Sequence, residues 1–272
     1  MVASMQTPRR RIFGAVVCLS AALVGMLAYG LGSPQATLLG PALIRELDGS
    51  RRVALTFDDG PSVPFTGQIL DILSKNHIRA TFFLCGANAE RYPELVRRIR
   101  AEGHEIGNHT YSHPYLYLMS RKSIAAEIDR TQDVLEKISG RRPRLFRPPF
   151  GVRWFSLWPL LRERGMTMVL WSVRGYDARL DAQGVAKTTL DQLHPGAIVL
   201  LHDGFETNLP GAIDRSATVR ALPSIIEGVR RSGYEFAQVL EAGGVGHAQG
   251  LGLQAAAAQA PSGLQGKRRA LP

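Results

Sequence analysis

The chain has 272 residues, 45% of them hydrophobic and 21% charged, which suits one large globular domain with tails. Its net charge is +10, yet Arg9, Arg10, Arg11, Lys267, Arg268 and Arg269 sit at the two ends, and without them 27 basic residues face 23 acidic ones. No concentrated basic face with interleaved aromatics remains, which argues against a nucleic-acid partner, and two cysteines, Cys18 and Cys85, make no disulfide framework.

In chain order, three arginines directly precede residues 12–31, which are 20 residues without a charge. About 20 apolar residues span a bilayer, and positive charge stays on the cytoplasmic side. Residues 1–32 therefore predict a cytoplasmic tip and a single transmembrane signal anchor, with everything after them outside the cytoplasm. A cleaved secretory signal is the alternative, but Pro34-Gln35-Ala36 makes a poor cleavage site. Residues 33–51 read as a linker.

From residue 52 short apolar runs alternate with longer stretches of helical spacing. Runs begin near Val53, Ala80, Glu105, Leu145, Met168, Ala197 and Tyr234. Helical spacing covers 66–74, 93–101, 123–138, 155–164, 185–193 and 219–231. In the third of these, Ile124, Ile128, Thr131, Leu135 and Ile138 recur every three or four residues, as one helix face does. Gly103, Gly140, Gly165 and Gly233 each follow a helical stretch, where a left-handed cap is expected. This alternation predicts an α/β fold with a parallel sheet of about seven β/α units, one short of a closed barrel; a doubly wound open sheet is the alternative. Residues 243–272 are rich in Gly, Ala and Gln and read as a disordered tail.

Four polar clusters stand directly after apolar runs: Asp58-Asp59-Gly60-Pro61, His109-Thr110-Tyr111-Ser112-His113, Arg147-Pro148-Pro149-Phe150-Gly151 and His202-Asp203-Gly204. In β/α barrels chemistry gathers at the carboxyl ends of the strands, so the shared placement points to an active site. Taken singly, each cluster has a plain reading. Asp-Asp-Gly-Pro suits a turn, and His109 and His113 suit an exposed loop. On a helical turn those histidines, four apart, share a face and can grip one metal ion. Two imidazoles and one carboxylate leave coordination positions open, as a catalytic site needs. His202 alone suits a satisfied core histidine, and Arg147 a surface ion pair.

Together, and in this order, the motifs Thr56-Phe57-Asp58-Asp59-Gly60, His109-Thr110-Tyr111-Ser112-His113, Arg147-Pro148-Pro149-Phe150-Gly151 and Leu200-Leu201-His202 resemble the NodB-homology polysaccharide deacetylases, carbohydrate esterase family four. The resemblance covers about 52–239 and implies a distorted, incomplete (β/α) barrel as a single catalytic domain at 52–242. It implies that Asp59, His109 and His113 hold a divalent metal, zinc first, with cobalt or another divalent ion as alternatives. It makes Asp58 the general base, Arg147 its orienting partner and His202 the general acid. It gives the Phe150 amide an oxyanion role and Leu200 a place in the acetyl pocket. Relatives often read Trp-Ser-Val-Asp-x-x-Asp-Trp where this chain reads Trp171-Ser172-Val173-Arg174-Gly175-Tyr176-Asp177-Ala178. Asp177 matches the second aspartate, which holds His202 charged, and Trp171 or Tyr176 is left to replace the missing tryptophan wall.

The expected function is hydrolysis of N-acetyl groups on a peptidoglycan- or chitin-like amino-sugar polymer by a monomeric enzyme at the outer face of the cell membrane. The rivals are an O-deacetylase or other carbon-nitrogen hydrolase on the same scaffold, and a non-catalytic wall-binding relative.

Overall fold

Residues 53–57 are apolar or β-branched, and they form the middle of strand β1 (Arg52–Asp58), buried along almost its whole length. Such continuous burial is the mark of a parallel strand covered on both faces. A computed structural model describes residues 8–32, 39–45, 51–205 and 214–239 of the chain. Helix α1 (Pro8–Gly32) covers the N-terminal apolar run. Among the described residues no helix is long and apolar enough to cross a membrane, so the transmembrane anchor expected within residues 1–32 is not supported.

After β1 come α2 (Phe65–Lys75), β2 (Thr81–Leu84), α3 (Gly86–Arg91), α4 (Pro93–Ala101), β3 (Glu105–Asn108), α5 (Arg121–Ser139) and β4 (Leu145–Phe146). The rest comprises α6 (Leu157–Glu163), β5 (Thr167–Met168), β6 (Val173–Arg174), α7 (Ala182–Asp191), β7 (Ala197–His202), α8 (Ser216–Arg231) and β8 (Glu235–Ala237). The strands run in the order β5-β4-β3-β2-β1-β7-β6, with β8 beside β1. Every pairing between them is parallel. This places all strand carboxyl ends on one rim.

Strands β5 and β6 end the path without pairing with each other. A short segment, 39–45, reaches both sides of the gap. The Leu43 amide donates to the Met168 carbonyl at 2.8 Å, the Leu170 amide donates to the Leu43 carbonyl at 2.8 Å, and Arg45 bridges to Ala197 at the start of β7. One short strap can touch both ends only if the sheet curls, so the architecture is the expected incomplete barrel rather than a flat, doubly wound sheet. These strap residues lie inside the stretch read as a linker, and Leu39 among them is buried. The tail expected at 243–272 lies outside the described residues.

The helices follow the apolar spacing. In α5 the buried residues are Ile124, Ile128, Thr131, Gln132 and Leu135; Ser120 caps the helix by accepting from the Ser123 amide, and Gly140 ends it in the left-handed region at φ 73°. The main core lies between β1, β2, β7 and helices α2, α4 and α8, around Phe57, Ile69, Leu73, Phe82, Leu201 and Leu222. Each such side chain contributes about 1.5–3 kcal/mol when fully buried. A second core, under α5 and α6, joins Ile124, Ile128, Phe146, Leu157 and Leu161. These two cores fix the rim that carries the polar clusters.

Candidate active site

Register brings the rim residues together. Asp58 of β1 is the partner of His202 of β7, and Asn108 of β3 is the partner of Phe146 of β4. The next residues along, Asp59, His109 and Arg147, therefore emerge side by side. A cavity of about 190 Å³ opens there, lined by Asp58, Asp59, His109, His113, Phe150, Trp171, Leu200 and His202. Arg147 and Asp177 stand behind this wall, both buried. All ten residues singled out in the sequence thus belong to one site.

Asp59, His109 and His113 offer ligand atoms that all lie within 4.8 Å of one another. Nε2 of each histidine is 3.3 Å from Asp59 Oδ1. That oxygen is buried and has no hydrogen-bond partner in the protein, which an ion at the centre of the triad would supply. His109 Nδ1 is 2.7 Å from the Arg147 carbonyl; donating there leaves the Nε2 lone pair facing Asp59. Burial pushes His113 down to about 4, so its ring is neutral, as a ligand must be. Burial opposes ionisation of Asp59, but His109, His202 and His113 hold its carboxyl well below the usual range. The donor set fits a divalent ion of the zinc class.

The loop carrying the histidines is not the helical turn that their spacing suggests. Thr110 and His113 take left-handed backbone at φ 67° and 55°, and Asp59 does so at 73°. Non-glycine residues rarely adopt this conformation, and the departures cluster at the metal triad. Glu127 of α5 holds the loop. Its Oε2 accepts from the Tyr111 and Ser112 amides at 2.9 and 2.8 Å, and its Oε1 accepts from Ser112 Oγ at 2.9 Å.

Asp58 faces the other way from its neighbour's task. Arg147 Nη1 donates to Asp58 Oδ1 at 2.7 Å and to Thr56 Oγ1 at 2.7 Å, while Nη2 donates to the Leu170 carbonyl at 2.8 Å. The guanidinium also lies 4.0 Å from the centre of the Phe83 ring. A fully buried arginine needs such partners, and Asp58 supplies its countercharge. Asp58 Oδ2 remains, 3.9 Å from His109 Nε2.

On the far wall, Asp177 Oδ1 is 2.8 Å from His202 Nδ1, and Oδ2 accepts from the His202 amide and from Thr218 Oγ1, each at 2.7 Å. Burial lowers the His202 pKa, but Asp177 outweighs it and the net shift is upward. Trp171 lines the cavity against the backbone of the proline loop: a Cβ on Gly151, whose φ is +69°, would meet the Trp171 ring at 2.4 Å. Leu200 is 2% exposed at the cavity floor. Arg174 also lines the cavity, its guanidinium 5.8 Å from the Trp171 ring and 5.1 Å from the Tyr176 ring.

Two further buried residues join the site, and the sequence assigns neither of them a role. Arg215 Nη2 lies 3.4 Å from Asp59 Oδ2, and Nε donates to the Gly204 carbonyl at 2.6 Å. Asp203 is fully buried, accepts from Thr66 Oγ1 at 2.5 Å, and is pushed up to about 7 by burial. Arg215 belongs to no cluster, whereas Asp203 follows His202 in one of the four polar clusters but has no role that spacing alone assigns.

Comparison with known proteins agrees with this geometry. Residues 46–169 match the family described as Polysaccharide deacetylase. A peptidoglycan-N-acetylglucosamine deacetylase of Bacillus cereus is 38% identical over 68% of this chain and 65% of its own length. A chitooligosaccharide deacetylase of Bradyrhizobium is 37% identical over 70% of this chain and 90% of its own. A solved peptidoglycan N-acetylglucosamine deacetylase superposes with a TM-score of 0.68 at 35% identity, covering 73% of this chain and 90% of that one. With the triad, the buried Arg147–Asp58 pair and the incomplete barrel all in place, the chain belongs to the polysaccharide deacetylase family.

Proposed function

We propose that the protein is a metal-dependent deacetylase that hydrolyses N-acetyl groups of an amino-sugar polymer of the peptidoglycan or chitooligosaccharide type, with zinc as its native ion. The observation that carries this reading is the convergence of Asp59, His109 and His113 within 4.8 Å beside an Arg147-held Asp58 in an open cavity. The substrate class draws on relatives named for these two polymers.

Asp59, His109 and His113 would hold a divalent ion, which would supply a water of lowered pKa and polarise the acetamide oxygen. The chain's own residues do the rest. Asp58 Oδ2 takes the proton of the attacking water, and Arg147 holds Asp58 aimed through its hydrogen bond to Oδ1. The Phe150 amide donates to the developing oxyanion; loss of such a donor costs about 2.7–4 kcal/mol of barrier. Leu200 and Trp171 enclose the acetyl methyl. As the C–N bond breaks, His202 gives its proton to the departing sugar amine, and the water oxygen leaves in acetate. Asp177 keeps His202 protonated near neutrality.

The work is extracytoplasmic in this proposal, with the N-terminal run directing export as a secretory signal and the protein acting as a monomer. The support is the 20-residue uncharged run behind three arginines. The test of activity is acetate release from chitooligosaccharides, peptidoglycan and acetylated xylan, with and without chelator. Release from the two amino-sugar polymers, abolished by chelator and restored by zinc, is the expected result. Release from xylan alone would overturn the N-acetyl assignment.

A further inference from the structure

An unbroken row of aromatic rings leads away from the metal triad. Phe150 meets His113 edge-on at 4.6 Å and stacks on Tyr115 at 4.4 Å and 8° between planes. Tyr117 follows at 5.7 Å from Tyr115, Trp154 at 6.4 Å from Tyr117, and Phe155 at 5.2 Å from Trp154. The row is built from two loops, the one after His113 and the one after β4. Phe150 is also a wall of the catalytic cavity, so the row is continuous with it.

These rings do not serve the core. Tyr115 is 50% exposed, Tyr117 39%, Phe150 39% and Phe155 56%, while Trp154 is half-buried against the second core and anchors the row. Contiguous exposed apolar surface of this kind marks an interaction site. Aromatic side chains also lose little conformational freedom on binding, because they have only two rotatable bonds and here already pack against one another, Tyr115 stacked on Phe150 and the others tilted or edge-on. The face of a pyranose ring presents C–H groups that pack on an aromatic face while the hydroxyls at its edge stay in water. A row of rings starting at the reacting centre therefore matches a chain of sugars, one end of which sits in the cavity.

We propose that Phe150, Tyr115, Tyr117, Trp154 and Phe155 form the track that binds the sugar residues flanking the one being deacetylated. This rests on the reading under Proposed function and adds to it where the rest of the polymer lies. It makes the enzyme one that favours long chains.

The test is kcat/KM of the full-length protein on N-acetylated chitooligosaccharides from dimer to hexamer, compared with Tyr117→Ala and Phe155→Ala. Both positions lie away from the residues given chemical roles. The expected result is that wild-type kcat/KM rises with chain length. Each variant should lose about five-fold or more on the hexamer, as about 1 kcal/mol of stacking implies, and less than about two-fold on the dimer. Equal losses on dimer and hexamer, or none on either, would overturn the track. Calorimetric binding of the hexamer to chelator-treated protein separates this proposal from the activity itself. Weaker binding by both variants supports the track even where no acetate is released, and unchanged binding rejects it. Loss of binding to anionic lipid vesicles, or of self-association, with hexamer affinity intact would assign the row to a membrane surface or a second copy instead.

Discussion

Asp58 and Asp59 are neighbours in sequence with different tasks. Asp58 ends β1 and is tied to a buried guanidinium, whereas Asp59 turns into left-handed backbone and faces two imidazoles. Asp59→Ala or His113→Ala should therefore lose bound metal and activity together, measured as metal content and acetate release. Asp58→Asn should keep its metal and lose about 100-fold or more in turnover, the usual scale for a missing general base. Full turnover by Asp58→Asn would remove it from the mechanism. His202 provides a second test. Its pKa is raised by Asp177, and its protonated form is the acid, so activity falls as pH rises through that raised value. Asp177→Asn should move the alkaline limb of the rate profile to lower pH. An unmoved limb would mean that the limb reports another group. Sequence showed these residues because chemistry at strand ends leaves compact motifs. It placed Asp203 beside His202 without a role and did not show Arg215, because both act through burial and long-range contact rather than through spacing.

At the scale of elements, the triad depends on a loop that the backbone alone disfavours. Thr110 and His113 hold positive φ, and three hydrogen bonds from Tyr111 and Ser112, between them, to Glu127 of α5 fix the loop. Glu127→Ala should weaken metal affinity by about 10- to 100-fold, the range for groups that orient ligands, while the core helix stays folded. Glu127→Gln, which keeps one acceptor, should recover part of that affinity. Competition with a chromophoric chelator measures both, and wild-type affinity in Glu127→Ala would reject the role. This loop also marks where sequence reading ends. The apolar faces of α5 and α8 were legible because three or four turns repeat the same spacing. Strand β6 is only two residues long and α3 opens on Gly86 with no apolar period, so neither leaves a pattern. The spacing of His109 and His113 suggested a helical turn, and left-handed residues reach the same convergence by another path.

At the scale of the whole molecule, the open barrel concentrates ionisable groups at one rim, and stability must then depend on pH. Sequence alone revealed the seven-unit alternation but not the strap at 39–45 that spans the gap, since a single pair of bridges has no period. Nor did it reveal which rim acid is left without a countercharge. Asp203 is that group: burial, with Asp59 and Asp58 nearby, raises it to about 7 from the ordinary 3.8. A carboxyl raised in the folded state gives stability that is complete below its unfolded value and is lost as pH climbs through the folded one. Raised His202 acts in the same sense. Asp59 and Asp177 are lowered and act in the opposite sense, but their contribution is complete above about pH 5, and that of lowered His113 and His104 is complete above the ordinary histidine value of 6.5. Chelator-treated protein should thus melt at a lower temperature at pH 8 than at pH 6.5. Asp203→Asn keeps an acceptor for Thr66 and removes the ionisation, so its melting temperature should vary less across that window. A wild-type midpoint that rises with pH, or an Asn variant with the full wild-type slope, would show that Asp203 does not carry the buried proton.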